Sequence, residues 1–280
     1  MEAEDFEWRL HSSSGGVYEN IALDELFMEK AAEDGKAFLR LFGFEEIGLA
    51  LGRNQSVEDV SLEQVAEEGL ELTRRESGPA AINCDPGSAY FSFIVPLDES
   101  DSKTVDLQSV FGPVVAETVR DMGVPGDAVE VAEQIGVDLE TPCGEYRAGA
   151  GTAQRLGRNA GYYHGVLFLN LDTEYYSRFI DFKESGREDE EYLVDRLVSL
   201  LDYEGFERDL SAVEAREEFG ERLQEQVGEM ESYELDGGDR SRLEELAREK
   251  YENDDWVLYA DRGGELDSGR GFCPIPPGME

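Results

Sequence analysis

Lysine is scarce in this chain. Five lysines occur in 280 residues, the other twenty of the 25 basic residues are arginine, and 65 aspartates and glutamates leave a formal net charge of −40. With no basic patch to neutralise phosphates, nucleic acid is excluded as a partner class. Cysteine is scarce too: Cys84, Cys143 and Cys273 are odd in number and irregularly spaced, which argues against a disulfide framework and against a zinc site. No apolar run approaches the ~18 residues that span a bilayer. The opening Met1-Glu2-Ala3-Glu4-Asp5 has neither the basic nor the apolar region of a signal peptide. A soluble, cytoplasmic protein without membrane contact is expected.

What the chain has in excess is acid. About one uncompensated negative charge for every seven residues strains a compact fold in dilute buffer. Yet 40% of residues are apolar and the acids are spread along the chain, so this is not the composition of a disordered tail. Such a surface suits a halophilic cytoplasm, because at molar salt the Debye length falls to about 3 Å. The alternative, an acidic protein that binds cations or basic partners, would concentrate its acids in one segment.

Periodicity then divides the chain. Asn20 to Asp34 carries Leu23, Leu26, Phe27 and Ala31 at helical spacing, and Leu107, Val110, Phe111, Val114, Val115 and Val119 form the clearest helical stripe. Phe38 to Phe42 and Ile47 to Gly52 read as two strands joined by an acidic turn, followed by a helix at Ser61 to Glu68 and a strand at Leu70 to Arg75. Further strands are expected at Val129 to Val131, Val137 to Leu139, Ala148 to Gln154 and Tyr162 to Leu169. This order predicts an α+β fold, with helices packed on a mixed sheet. From Asp181 the sequence turns charged and helix-forming, with candidate helices at Glu190 to Leu201, Leu210 to Val227 and Asp239 to Lys250. The expected organisation is an α+β domain over 1–180, a small helical accessory domain over 181–262 and a flexible tail over 263–280.

The stretch Arg74-Arg75-Glu76-Ser77-Gly78-Pro79-Ala80-Ala81-Ile82-Asn83-Cys84-Asp85 resembles the ligand loop of the lipoate-protein ligase and octanoyltransferase family. Four more stretches follow in family order: Asn20 to Glu25; Phe38 to Leu41 with Leu51 to Gln55; Ala150 to Arg155 with Tyr163 to Asn170; and Lys250 to Trp256. Biotin transfer, the runner-up within the wider superfamily, fits that order less well. The resemblance implies a pocket for a medium-chain acyl group, octanoyl or lipoyl, and a lipoyl-domain acceptor or a second ligase subunit as partner. ATP and Mg²⁺ are the cofactors it implies where ligation is retained.

Two departures stand out. Pro79 and Ala80 replace loop glycines, and proline has no N–H to offer an anion and a φ fixed near −65°. Aligned on Gly151, the family's essential lysine falls at Ala148, and the neighbouring Arg147 belongs to the opposite face of a strand. Standard ATP-dependent ligation is therefore not expected, and a non-catalytic acyl sensor, carrier or scaffold is the alternative reading. The candidate catalytic positions are Ala148, as the vacated lysine site, with Cys84 and Cys143 as candidate thiol nucleophiles. By resemblance, Arg74, Arg75, Ser77, Gly78, Ala150, Gly151, Thr152, Gln154, His164 and Gly165 line the acyl site. Cysteine is also a common inert core residue, and half-exposed strands carry polar faces without binding anything.

The charge generates a test of its own. Lowering KCl from molar to roughly 0.1 M, where the Debye length is about 10 Å, should lower the thermal midpoint or expand the chain. A midpoint that stays constant between the two contradicts the high-salt expectation.

Overall fold

The protein's structure, a computed structural model, describes residues 1–98, 100–132, 136–180 and 196–260, the side chains of Ser102 and Lys103 excepted. Its strands are β1 (Trp8–Gly15), β2 (Ala37–Phe44), β3 (Gly48–Leu51), β4 (Glu71–Arg74), β5 (Ile82–Cys84), β6 (Ala89–Pro96), β7 (Val129–Val131), β8 (Val137–Glu140), β9 (Tyr146–Leu156), β10 (Ala160–Leu167) and β11 (Met230–Ser232). Its helices are α1 (Val17–Asp34), α2 (Leu62–Glu68), α3 (Asp101–Thr104), α4 (Leu107–Asp121), α5 (Thr173–Ser177), α6 (Ala212–Val227), α7 (Gly237–Leu246) and α8 (Asp254–Tyr259).

β6 is apolar almost throughout, so it needs cover on both faces and takes an inner place in the sheet. Eight strands run in the order β11-β1-β2-β6-β10-β9-β8-β7, and β3, between β4 and β5, centres a separate three-stranded sheet. β1 is parallel to β2 and β11, while β2, β6, β10, β9, β8 and β7 pair antiparallel. Strand alternation sends Phe91, Phe93 and Tyr163 to one face, where Phe111 of α4 and Phe219 of α6 cover them. Phe93 and Phe111 stack with ring centroids 4.5 Å apart. The other face carries Phe38, Ile94, Tyr162 and Val166 beneath Leu23, Leu26 and Phe27 of α1. The α+β class and the mixed sheet expected from the sequence are both present.

Two expectations need correction. β2 and β3 are not a hairpin, because β2 joins the large sheet and β3 the small one. Their turn is short, but a strand buried on both faces is free to pair with non-local neighbours. α6 buries Ala215, Phe219 and Leu223 in the main core, and β11 adds an edge to the large sheet beside β1. α7 and α8 are sewn to the small sheet and α1, with the Trp256 indole donating to the Arg74 carbonyl at 2.8 Å. The tail, Cys273 and the first half of the expected helix at Glu190 to Leu201 lie outside the described residues. The second half is not helical beyond Arg196: Leu197 bridges to Ala148 and 200–201 form a turn.

Among the described residues, no helix is long and apolar enough to cross a membrane.

Candidate functional site

α1 buries an apolar stripe, and on that buried face it also carries Asn20 and Asp24, one helical turn apart. A buried carboxylate must be paired and hydrogen-bonded. Asp24 meets Arg40 of β2 through Oδ1, which also accepts from the Ser92 hydroxyl of β6 at 2.7 Å. Its other oxygen, Oδ2, lies 2.7 Å from Nδ1 of His164 on β10. From the opposite side of the imidazole, Nε2 lies 2.6 Å from Oγ of Ser77, in the loop after β4. Four elements and a loop thus converge on one chain of polar atoms, with Ser77 2% and Asp24 3% exposed.

The protonation states follow from the surroundings. Burial would raise the Asp24 pKa, but the Arg40 charge and the bonds from His164 and Ser92 outweigh it and hold the carboxyl below its ordinary range. Burial lowers the His164 pKa, and Arg75 and Arg40 add to that against the raising influence of Asp24. The imidazole is therefore neutral at pH 7. Because ionised Asp24 can only accept, the proton sits on Nδ1, and Nε2 accepts from the Ser77 hydroxyl.

Arg75 lies beside this chain with Nη1 3.4 Å from Ser77 Oγ, and it also donates to the Ala80 carbonyl. Its Nε is buried without a hydrogen-bond partner, and among the described residues no carboxylate forms an ion pair with it. Gly78 follows at φ +69°, a conformation that costs little only without a Cβ, and a Cβ there would come within 2.6 Å of the Arg75 guanidinium. Next to the loop, buried Glu76 accepts from Lys250 at 2.5 Å and pairs with Arg53 and Arg155, both at 3.3 Å. Lys250 also reaches Glu25 at 2.6 Å. The Lys250 to Trp256 motif thus closes onto the ligand loop.

Ala148 depends on a bulge. Val137 pairs with Ala150 while Asp138 pairs with Ala148, so Gly149 is the extra residue and the alternation of β9 shifts across it. This puts Ala148 on the face of Gly151, Ala153 and His164, with Arg147 on the opposite face beside Leu139. Ala148 therefore shares the sheet face of His164, five residues along β9 from Ala153, the partner of His164, and is flanked by Asp138 and Leu197.

Several candidate residues lie elsewhere. Arg74 turns away from the cluster, donating to the Val257, Gly52 and Gln55 carbonyls, and ties the loop to α8. Thr152 and Gln154 face α4: the Thr152 hydroxyl donates to Gln108 at 3.2 Å, and Gln154 accepts from the Leu107 amide at 2.8 Å. Ala150 packs in the α4-side core. Gly165 is a packing glycine, since a Cβ there would lie 2.7 Å from the Gly151 carbonyl oxygen and 2.8 Å from the Phe91 ring. Cys84 is fully buried, and desolvation pushes its thiol pKa well up despite Arg75, the reverse of what a nucleophile needs. Cys143 is exposed in the turn between β8 and β9, with its thiol beside Thr141 and Glu145 of that turn. Asp24, Arg40, Ser92 and Tyr162, by contrast, belong to the cluster without having been singled out. The signal for Asp24 was an acid on the apolar stripe of α1. Among the described residues, no three His, Cys, Asp or Glu side chains are grouped to hold a metal ion.

The profile of the Lipoyl protein ligase A/B catalytic domain matches residues 16–224, and the chain belongs to that family. Octanoyltransferase LipM of Geobacillus kaustophilus is 29% identical over 274 residues, 85% of this chain and 92% of its own. Among solved structures, that of a bi-partite lipoate protein ligase and its E2 lipoyl domain from Thermoplasma acidophilum aligns with a TM-score of 0.77 and 21% identity, covering 93% of this chain and 100% of the matched one. A lipoate-protein ligase A bound with ATP aligns at 0.69 with 20% identity, covering 92% and 99%. These last two likenesses speak for the fold.

The cluster makes the fold sensitive to acid. His164 and Asp24 both bind protons less readily folded than unfolded. Their contributions are present above the unfolded pKa values and are lost as pH falls, from about 6.5 for His164 and about 3.9 for Asp24. In molar KCl the thermal midpoint should fall between about pH 7.5 and 5 by the histidine linkage, and fall less in His164→Gln. His11, also lowered by burial, supplies the remainder. Equal falls in both proteins would contradict the buried neutral imidazole.

Proposed function

We propose that the protein takes a medium-chain acyl group, octanoyl or lipoyl, and serves its attachment to a lipoyl-domain acceptor without activating the free acid through ATP. Family membership and the likeness to an octanoyltransferase over most of the chain support the acyl group. The observation that carries the second half is Ala148: on the face of His164 it offers a methyl group where the family lysine would present an ammonium. The lost cation would meet the reacting carboxyl and phosphate, and loss of one such donor costs on the order of 10²–10³-fold in rate.

The remaining residues do not fit an adenylate well. Gly78 keeps its positive φ, but Pro79 has no N–H and Arg74 is committed to backbone carbonyls. ATP and Mg²⁺ are therefore left out of the proposed chemistry; a second subunit supplying a cation is the route by which they would return. A non-catalytic carrier or sensor is the second reading, favoured by the near-complete burial of Ser77 and His164.

The test supplies octanoate or lipoate, ATP and a lipoyl domain at high KCl and follows the acceptor by intact mass. The wild type should leave it unmodified. Ala148→Lys should raise acid-dependent pyrophosphate release, by ~10²-fold if the rest of the site accepts the adenylate. Pro79→Gly with Ala80→Gly should raise it further. Efficient ligation by the wild type, reduced in Ala148→Lys, contradicts the proposal.

A further inference from the structure

We infer that Ser77 is an acyl-accepting nucleophile, with His164 as its general base and Asp24 orienting the imidazole, and that the donor is a medium-chain acyl thioester. The inference rests on the acyl-group reading above and adds to it a covalent route that needs neither lysine nor cysteine.

The geometry is that of a serine–histidine–aspartate relay. Oγ to Nε2 is 2.6 Å and Nδ1 to Oδ2 is 2.7 Å, so nucleophile, base and orienting carboxylate are each within hydrogen-bond reach of the next. The tautomer is the one such a relay requires, since Asp24 accepts from Nδ1 and leaves the Nε2 lone pair facing Ser77. Asp24 in turn is fixed by Ser92 and Arg40 on its other oxygen. A donor for the developing oxyanion is at hand: the Arg75 guanidinium touches Ser77 Oγ at 3.4 Å, and its buried Nε–H has no partner. A buried cation without a carboxylate is costly unless its charge is used. A polar chain that merely tied the loop to the sheet would need no such guanidinium beside the serine.

The step balances without further reactants. Ser77 Oγ attacks the thioester carbonyl carbon as its proton passes to His164 Nε2. The C–S bond breaks, and that proton leaves with the thiolate. An acceptor lysine amine then attacks the ester carbon and gives a proton to Nε2, and the C–O bond breaks as Ser77 Oγ takes it back. The product is an amide, and the serine is regenerated.

The experiment uses the full-length protein in molar KCl with octanoyl-coenzyme A as donor, quenched in acid and read by intact mass and peptide mapping. One octanoyl group per chain should appear on Ser77, vanish in Ser77→Ala and form ~10²–10⁴-fold more slowly in His164→Gln. In Ser77→Cys, which preserves size and guards against misfolding of the alanine variant, the adduct should become a thioester cleaved by neutral hydroxylamine. The acylation rate should be flat above about pH 6.5 and fall in acid as His164 is protonated, its titration set by Asp24 from α1, Arg40 from β2, Arg75 from the loop and Tyr162 from β10. In His164→Gln that dependence should disappear. No adduct on the wild type, or an adduct that survives in Ser77→Ala, overturns the inference. Calorimetry with octanoate separates the two levels. Binding without an adduct removes the nucleophile and keeps the acyl reading; no binding removes both.

Discussion

The buried pair of Arg40 and Asp24 is the constraint to which the site is tied. An ion pair removed from water repays its desolvation only when the remaining donors and acceptors are met. Here Asp24 uses both oxygens, on Arg40, Ser92 and His164, while Arg40 also reaches the Asn20 carbonyl at 3.3 Å and leaves its Nε without a hydrogen-bond partner among the described residues. The partners come from α1, β2, β6 and β10, so satisfying one carboxylate fixes the helix against three strands. Ser77 joins through His164 and ties the ligand loop to the same cluster. Breaking the pair from one side would leave a charge stranded in the core, with a cost of ~3–5 kcal/mol.

This dependence explains what the sequence revealed. Strands and helices with strong periodicity, such as α1, α4 and β10, were legible within a few residues, and so was the α+β class. Pairing was less so: β2 and β3 are adjacent in sequence but belong to different sheets, and a two-residue-period pattern carries no information about partners. Facing depended on single residues. The bulge at Gly149 and the tight packing at Gly165 decide which strand residues look into the site, and neither is visible before the register is known. Thr152 and Gln154 were read toward the pocket from a polar alternation that in fact serves the start of α4. Cys84 shows the opposite case: a residue type with attractive chemistry whose surroundings withhold it.

Against what the family resemblance implies, the loop and β9 differ where charge would be handled. Pro79 has no backbone donor, Ala148 carries a methyl group on the sheet face of His164, and the loop brings together a neutral histidine, a serine and a guanidinium with no carboxylate ion pair among the described residues. This set is the basis of the proposed transfer of an already activated acyl group. The C-terminal segment reinforces the arrangement, because Lys250 holds Glu76 and Trp256 holds the Arg74 carbonyl on either side of Arg75.

The central claim, a neutral imidazole bridging Asp24 and Ser77, is open to direct observation. The chain has only two histidines, His11 and His164, so ring ¹⁵N spectra of histidine-labelled protein in molar KCl can be assigned with one variant. The account predicts that at pH 7 His164 is neutral, carries its proton on Nδ1 and titrates below the ordinary value of about 6.5. An imidazolium at pH 7, or a proton on Nε2, would contradict it.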